Sequence, residues 1–350
     1  MTDRIEIPLP DDFHLHLRDG PLLEAVVADT ARHFGRAIVM PNLTPPVVTT
    51  EDARAYRDRI LAALPDGARF EPLMTLYLTD ATAPAEMAKA KASGFVHGVK
   101  LYPAHATTNS AHGVTDVDRL DPVFEAMAEA DMPLLVHGEK LGPEIDVFDR
   151  EKVFIEETLQ PLAERHPSLR IVLEHITTAE GIAWVEAGDE RIAGTLTAHH
   201  LLLDRNDLFA GGLRPHHYCL PVVKRREHKI ALRKAACSGH PRLFLGTDSA
   251  PHPLHAKEAA KCCAGLYTAP TAMALYARVF AEEGALERLG GFAADNGQRF
   301  YRLPAHADRL VLTRDGPIEA PGLRTATGVG EVLPFHPDDG LDWRAERLAR

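Results

Sequence analysis

The feature that most constrains this fold is an alternation of short apolar, β-branched runs with longer amphipathic stretches, repeated about eight times. Alternating strands and helices form parallel βα units, because each helix returns the chain to the same end of the sheet. About eight such units favour an α/β fold, the closed (β/α)8 TIM barrel, although a doubly wound open sheet fits the same pattern. The predicted strands are Ile5–His16, Ala37–Pro41, Glu71–Leu78, Gly98–Tyr102, Pro133–His137, Arg170–His175, Gly194–Thr197 and Arg242–Gly246.

Helical stretches lie between these strands and continue after the last of them. The predicted helices are Gly20–His33, Glu51–Ala63, Pro84–Ala92, Pro122–Ala130, Asp149–His166, Glu227–Ser238, Ala269–Glu283 and Gly291–Tyr301. The chain then ends in a tail with scattered Pro and Gly, and no linker or change of composition divides it. We therefore predict one barrel domain over residues 1–350, with a C-terminal helical extension from about residue 305.

Composition excludes several classes of function. The 350 residues are 45% hydrophobic and 25% charged, with a formal net charge of -11. This acidic balance offers no basic surface for nucleic acid or an anionic membrane. No secretory leader or membrane-spanning run is visible, and the four cysteines have no C-x-x-C spacing. We expect a cytoplasmic protein with reduced thiols at Cys219, Cys237, Cys262 and Cys263.

The nineteen histidines are the unusual part of the composition, and several of them fall at predicted strand ends. The catalytic face of a TIM barrel is built where its parallel strands end, so polar residues at those positions should converge on one site. The polar residues at or just beyond a predicted strand end are His14, His16, Asn42, Lys100, His137, His175 and Asp248.

His14 and His16 form a His-x-His pair on the first predicted strand. Because side chains on a strand repeat every two residues, both imidazoles should point to the same face and reach one cation. His137 and His175 add imidazoles at other strand ends, and Asp248 adds a carboxylate that can also act as a base. Histidine with carboxylate favours zinc, although other divalent ions such as manganese or cobalt would fit the same ligands.

Lys100 lies in a predicted buried strand, where an ammonium group beside a dication would be strongly repelled. Burial and nearby cations favour the neutral amine, which can add carbon dioxide to give a carbamate that bridges two metals. A lysine that forms a Schiff base, or one that extends its amine to solvent, would also fit this position.

Taken together, these segments resemble the class II dihydroorotases of bacteria, within the amidohydrolase superfamily. The resemblance extends from about residue 5 to residue 304, and every metal-ligand position is filled. The matching segments are 12–18 (DFHLHLR), 40–43 (MPNL), 98–103 (GVKLYP), 135–139 (LVHGE), 174–177 (EHIT), 218–221 (YCLP) and 245–252 (LGTDSAPH).

The resemblance implies a binuclear zinc hydrolase that closes N-carbamoyl-L-aspartate to dihydroorotate, reversibly, in pyrimidine (UMP) biosynthesis. His14, His16 and Asp248 would hold one zinc ion, and His137 and His175 would hold the other. Lys100, as N6-carboxylysine, would bridge the two ions, and Asp248 would transfer the proton between water and the ring nitrogen. The family also implies a homodimer.

The substrate of this family carries a carboxylate, and Arg18 follows His16 by two residues on what should be the same face. Its planar guanidinium is suited to binding a carboxylate. The resemblance adds Asn42 and His252 to this contact, backbone groups near Leu220 and Ala264 for the ring amide, and a mobile lid at Thr107 and Thr108. His16 and His137 would also face the substrate.

Three other functions fit parts of the sequence. A hydantoinase of the same superfamily would use similar ligands, but its neutral ring needs no carboxylate contact such as Arg18. A phosphotriesterase-like hydrolase has the same difficulty, and a non-catalytic scaffold would lack some of the ligands. We expect the remaining histidines, including His199, His200, His216 and His217, to be structural or exposed.

Overall fold

A computed structural model describes residues 3–349, so Met1, Thr2 and Arg350 of the predicted 1–350 domain lie outside the described residues. Labels β1–β13 and α1–α12 follow chain order. Eight parallel strands pair in the order in which they occur in the chain, as the alternation predicts. These strands are β2 (Asp12–Leu15), β3 (Arg36–Val39), β4 (Glu71–Tyr77), β5 (Val96–Leu101), β6 (Leu134–Val136), β7 (Ile171–Leu173), β8 (Ile192–Leu196) and β9 (Leu243–Leu245).

The sheet closes into a barrel where its first strand meets the segment after its last. The His16 amide donates to the Ser249 carbonyl at 3.1 Å, and the Asp248 amide donates to the His14 carbonyl at 2.9 Å. Leu15 and Ser249 form a parallel bridge between these segments. The (β/α)8 prediction is confirmed, and the open-sheet alternative is wrong.

Helices connect the strands and cover the outside of the barrel, as predicted. They are α1 (Gly20–His33), α2 (Thr50–Ala62), α3 (Ala85–Ser93), α4 (Asp121–Glu129), α5 (Arg150–Phe154), α6 (Gln160–Arg165), α7 (Ala179–Ala187), α8 (Ala198–Leu202), α9 (Arg226–Ala236), α10 (Leu254–Lys257), α11 (Ala272–Glu282) and α12 (Asn296–Tyr301). The predicted helix Asp149–His166 forms, but a π-helical turn at Ile155–Leu159 joins α5 to α6. No helix within residues 3–349 is long and apolar enough to cross a membrane.

The first strand differs from the prediction. The stretch predicted as one strand, Ile5–His16, is divided into β1 (Arg4–Pro8) and β2, and only β2 belongs to the barrel. Pro8 ends β1 and Pro10 lies between the two strands, where proline cannot donate a backbone hydrogen bond to continue a sheet. β1 pairs instead with β10 (Arg309–Ile318) in a separate antiparallel sheet.

The C-terminal extension also differs from the prediction. From about residue 305 it is β-structure instead of helix: β10 pairs with β1 and with β13 (Leu341–Leu348), and β11 (Arg324–Ala326) pairs with β12 (Gly330–Val332). Alternate residues are buried at the start of β13, where Leu341 and Trp343 are buried and Asp342 is not. This two-residue period, which the scattered Pro and Gly obscure in the sequence, explains why the tail forms strands.

Strand β2 contains an irregularity that positions the site. Its register against β3 shifts between Asp12 and Leu15, as in a β-bulge. Phe13 packs in the interior of the barrel, with Phe244 at 5.1 Å between ring centroids, and the neighbouring His14 also faces the interior. A regular strand would send neighbouring side chains to opposite faces, so the irregularity allows both the apolar Phe13 and the polar His14 to face the interior.

Candidate active site

The sequence-predicted residues meet in one cavity at the end of the barrel where its strands end. Lys100 lies below this cavity at the end of β5 with no exposed area, and His252 lies beside it. The structure therefore brings together all of the predicted positions. The residues that line the cavity are His14, His16, Arg18, Asn42, Tyr102, Thr107, Thr108, His137, His175, Leu220, Asp248, Ala250, Ala264 and Gly265.

His14, His16 and Asp248 form the first group that could hold a metal ion. One oxygen of Asp248, Oδ1, is 3.0 Å from His16 Nε2 and 3.5 Å from His14 Nε2, and the candidate ligand atoms all lie within 4.8 Å of one another. His14 Nε2 is buried and has no hydrogen-bond partner among residues 3–349. Such an orphaned imidazole nitrogen, aimed at a carboxylate and a second imidazole, is what a metal site requires.

The protonation of this group favours cation binding. Burial lowers the pKa of His16 to about 4, so its imidazole is neutral at neutral pH. Burial alone would raise the pKa of Asp248, but its contact with His16 and the electrostatic influence of the neighbouring imidazoles hold that pKa well below its usual value. Neutral imidazoles and an ionised carboxylate are the forms that bind metal ions.

Glu174 orients His14, a role that the sequence reasoning missed. His14 Nδ1 is 2.9 Å from Glu174 Oε2, which also accepts a hydrogen bond from Thr195 at 2.6 Å. With Nδ1 donating to this carboxylate, Nε2 of His14 is left as the ligand atom. The available signal was the position of Glu174, a fully buried carboxylate immediately before His175 at the end of β7.

Asn42 fixes the second imidazole of this group. Its Oδ1 is 2.8 Å from His16 Nδ1, and its Nδ2 donates to the Thr108 carbonyl at 3.0 Å. Asn109 donates in turn to the Asn42 carbonyl at 3.0 Å. Asn42, predicted as a substrate contact, therefore joins a candidate metal ligand to the predicted lid loop in this structure.

Lys100, His137 and His175 form a second polar group beside the first. The His175 ring centroid lies 4.9 Å from those of both His14 and His137. Lys100 Nζ and His175 Nδ1 are buried with no hydrogen-bond partner in the described part of the chain. His137 Nε2 is 2.8 Å from Glu139 Oε2, a pairing that leaves Nδ1 of His137 as the candidate ligand atom.

Burial shifts the groups of this second set towards their neutral forms. Burial lowers the pKa of Lys100 to about 8, although the nearby Glu174 and Asp248 carboxylates oppose that shift. Burial, together with the charge of Lys100, also lowers the pKa of His175 well below its usual value. A buried amine with no partner, surrounded by imidazoles, fits a position that becomes a metal ligand once its charge is changed.

Arg18 reaches the cavity by a route that the sequence did not predict. β2 ends at Leu15, and Arg18 has a left-handed backbone with φ of 61°, so the expected strand face does not extend to it. Arg18 Nε donates to the Pro251 carbonyl at 3.2 Å, and Nη2 is 3.0 Å from His252 Nε2. Burial, and then the Arg18 charge, lower the pKa of His252 to about 2, so this imidazole is neutral.

Lys257 organises the two backbone segments predicted to contact a ring amide. Its buried Nζ donates to the carbonyls of Tyr218, Cys263 and Gly265 at 2.8 to 3.0 Å. Tyr218 is two residues before Leu220, and the other two carbonyls flank Ala264. One ammonium group thus fixes the relative positions of both segments, a contact between distant parts of the sequence that no local motif indicates.

Comparison with known proteins agrees with this geometry. The amidohydrolase family model matches residues 12–197. A dihydroorotase of Cereibacter sphaeroides is 57% identical over 346 residues, which is 99% of this chain and 100% of that protein. A dihydroorotase of Saccharomyces cerevisiae, solved with 5-fluoroorotic acid, superposes with a TM-score of 0.92 at 34% identity, covering 100% of both chains.

A hydantoinase is a more distant relative. The L-hydantoinase of Arthrobacter aurescens superposes with a TM-score of 0.77 at 17% identity, covering 94% of this chain and 87% of that one. This likeness shows a common fold alone. The family match and the full-length relatives together place the chain in the amidohydrolase superfamily, as a member of its dihydroorotase family.

Proposed function

We propose that this chain catalyses the reversible closure of N-carbamoyl-L-aspartate to dihydroorotate, with loss of water, a step of pyrimidine biosynthesis. The observation that carries the proposal is the position of Arg18, a fixed cation on the wall of the cavity that contains His14, His16 and Asp248. A metal site needs no such cation, whereas a cyclic amide that bears a carboxylate does.

We propose that two zinc ions bind here: one at His14, His16 and Asp248, the other at His137 and His175. Lys100 would bridge the ions after its neutral amine attacks carbon dioxide, forming an N–C bond and losing a proton to give the carbamate. When bound, zinc at these positions supplies a water of lowered pKa and polarises the amide carbonyl. The buried, unpartnered Nζ of Lys100 and Nε2 of His14 support this assignment.

Asp248 would move the proton during the reaction. In the hydrolytic direction its carboxylate accepts a proton from the attacking water and passes it to the departing ring nitrogen. In the biosynthetic direction, Asp248 takes that proton from the carbamoyl nitrogen and transfers it to the leaving oxygen. Asp248 Oδ1 lies 3.0 Å from His16 Nε2, so the carboxylate stands on the cavity wall beside the other proposed metal ligands, where both transfers can occur.

The remaining residues would bind and enclose the substrate. Arg18, Asn42 and His252 would contact the carboxylate, and the backbone near Leu220 and Ala264 would bind the ring amide. His252 Nε2 is 3.0 Å from both Arg18 Nη2 and the Ala264 carbonyl oxygen, so it accepts from the first in one tautomer and donates to the second in the other. His16 and His137 would face the substrate from the metal side.

Thr107 and Thr108 would act as the lid. Their loop is already fixed to the site, because Asn42 donates to the Thr108 carbonyl and the Thr107 amide donates to Ser110 Oγ at 2.9 Å. Opening the loop would break the Asn42 contact, so Asn42 would link lid closure to the orientation of His16.

The test is an assay of cyclisation and ring opening on the full-length protein, with metal analysis before and after treatment with chelator. We expect about two zinc ions per chain, loss of activity on chelation, and recovery when zinc and bicarbonate are returned. Activity that survives complete metal removal would contradict the proposed mechanism. A homodimer and a cytoplasmic location remain predictions, the first of them testable by analytical ultracentrifugation.

The role of Arg18 can be tested separately. Arg18→Met should raise KM for carbamoyl-aspartate by about 10²-fold or more, since a charge-assisted contact contributes about 3 kcal/mol, while metal content stays unchanged. Arg344→Met, at a side chain 63% exposed, is the matched control. If Arg18→Met instead keeps its KM, or if the wild type opens uncharged hydantoin rings as readily as dihydroorotate, the hydantoinase alternative is favoured.

A further inference from the structure

A second cluster of metal-type side chains lies after strand β8, where the sequence predicted no ligand. His199 and His200 belong to α8, which follows β8 directly, and Cys219 reaches them from the loop before Leu220. All three side chains are buried, and their candidate ligand atoms lie within 4.8 Å of one another. Both histidines were expected to be structural or exposed, so the arrangement needs its own explanation.

The contacts of His200 and Cys219 converge on one carbonyl. His200 Nε2 and Cys219 Sγ are 3.0 Å and 3.2 Å from the Pro221 oxygen, and 3.6 Å from each other. On the opposite side of the ring, His200 Nδ1 is 2.7 Å from Thr197 Oγ1. The imidazole is therefore held in one orientation by a hydroxyl, as metal-bound imidazoles commonly are.

His199 is the observation that points to a ligand. Its side chain has no exposed area, and neither ring nitrogen has a hydrogen-bond partner anywhere in residues 3–349. Its ring centroid is 4.4 Å from that of His200. Buried polar atoms are nearly always bonded, so an imidazole with two unsatisfied nitrogens beside a histidine and a thiol indicates that something binds there.

We propose that His199, His200 and Cys219 form a metal site, separate from the active site, for a thiophilic cation: Zn²⁺ or a copper ion. Two imidazoles with one thiolate suit both ions, and a backbone carbonyl is a suitable weak further ligand. The site would stand beside the active site, because Cys219 is followed directly by Leu220, which lines the active-site cavity.

Metal binding would release one proton and rearrange the hydrogen bonds of the site. Cys219 loses its thiol proton to solvent, and the Pro221 carbonyl gives up the hydrogen bonds from Sγ and Nε2. In the metal-free site the neutral His200 ring donates from Nε2 to the Pro221 carbonyl and accepts from Thr197 Oγ1 at Nδ1. On binding, this ring proton moves to Nδ1, which then donates to Thr197 Oγ1, and Nε2 becomes a ligand atom. The Pro221 oxygen is then free to face the ion as a fourth donor, and one nitrogen of His199 completes the set.

The experiment uses the full-length protein loaded with Co²⁺, whose bond to a thiolate absorbs in the near ultraviolet. The active-site group contains no thiol among its described residues, so this absorption reports a cysteine ligand only. Metal is measured per chain in the wild type and in Cys219→Ser and His199→Gln. Controls are Cys237→Ser, a buried thiol elsewhere, and Cys262→Ser/Cys263→Ser, the two half-buried thiols.

We expect thiolate–cobalt absorption in the wild type and in both controls. It should disappear in Cys219→Ser, with the loss of about one metal per chain, and weaken in His199→Gln, with a partial loss of that metal. Metal analysis of the protein as isolated then distinguishes zinc from copper. No absorption in the folded wild type, or absorption that persists in Cys219→Ser, would overturn the proposal and leave internal water as the occupant. Because cyclisation activity is read separately, failure of the proposed enzyme function would leave this result interpretable.

Discussion

The two ends of the barrel contain buried polar clusters of opposite character. Where the strands begin, the Asp11 carboxylate accepts four hydrogen bonds from the side chains of Arg36, Gln298 and His306. Where the strands end, His14 Nε2 and Lys100 Nζ have no such partner among residues 3–349. The first cluster is complete without a ligand and stabilises the fold, whereas the second is completed only when something binds.

Left-handed residues other than glycine occur at both ends, with Asp131 before β6 and Arg302 after α12, but three of them belong to the active site. Arg18, His175 and Asp248 have φ values of 61°, 39° and 46°, a left-handed region that costs free energy for residues other than glycine. All three are at or beyond strand ends and line the active-site cavity. The comparison teaches that the donor atoms of the active-site cluster are left unsatisfied, whereas the Asp11 carboxylate at the other end has all its partners within the described residues.

The largest expected effect is at Asp248, at the incomplete end. Asp248→Asn removes the proposed proton acceptor and a metal ligand, so we expect kcat/KM to fall by about 10²–10⁴-fold while the unfolding midpoint changes little. Cyclisation kinetics with metal analysis measure the loss. Asp118→Asn, at an exposed aspartate, is the matched control. If the activity of the Asp248 variant stays within tenfold of wild type, catalysis does not depend on the cluster where the strands end.

Lys100 should make reactivation of the metal-free active site depend on pH. Burial lowers its pKa from 10.5 to about 8, so the neutral amine that reacts with carbon dioxide becomes more abundant as the pH rises towards 8. For metal-free, decarboxylated protein at fixed carbon dioxide, the initial reactivation rate should rise about tenfold per pH unit below 8 and level off above it. Lys100→Arg should not reactivate, and a pH-independent rate would contradict the carbamate.

Glu174 should have a smaller effect, because it acts through His14. Glu174→Gln removes the negative charge that His14 Nδ1 contacts at 2.9 Å. We expect metal affinity to fall by about 10–100-fold, with activity restored at high zinc concentration. Competition with a chromophoric chelator measures the affinity, and Glu157→Gln, at a carboxylate 56% exposed, is the control. Unchanged affinity would show that this carboxylate is merely structural.

At the complete end, we expect almost no effect on catalysis. Asp11→Ala leaves the buried guanidinium of Arg36 unpaired and should lower the free energy of unfolding by about 3–5 kcal/mol, with kcat of the folded protein unchanged. Asp118→Ala, which breaks an exposed pair with Arg165, should cost at most about 1 kcal/mol. Urea unfolding, with kinetics measured in parallel, tests both variants. A fall in kcat for Asp11→Ala would show that the cluster where the strands begin also contributes to catalysis.

Much of the fold could be predicted because its signals are local. Each barrel strand is a short apolar run bounded by helix, so eight units could be counted along the chain. The division of Ile5–His16 and the strands after residue 305 were missed, because β1 and β10 are stabilised by pairing with each other across 300 residues of sequence. Propensity cannot anticipate a partner so distant.

Prediction of the site from the sequence has the same limit as prediction of the fold. Residue type and position at strand ends were enough to nominate His14, His16, Lys100, His137 and Asp248, since chemistry of this kind depends on which side chains are present. The supporting contacts of Glu174, Asn42 and Lys257 were not predictable, because each joins segments that only the folded chain brings together.

The sequence by itself therefore determined the barrel, the ligand types and the resemblance to a family, all of which are encoded in short segments. Only the tertiary structure decided which nitrogen of each histidine is free, how Arg18 reaches the cavity, and that His199, His200 and Cys219 lie together. The physical reason is that hydrogen-bond partners and burial are properties of neighbours in space. These properties cannot be read from the sequence and become known only in the folded structure.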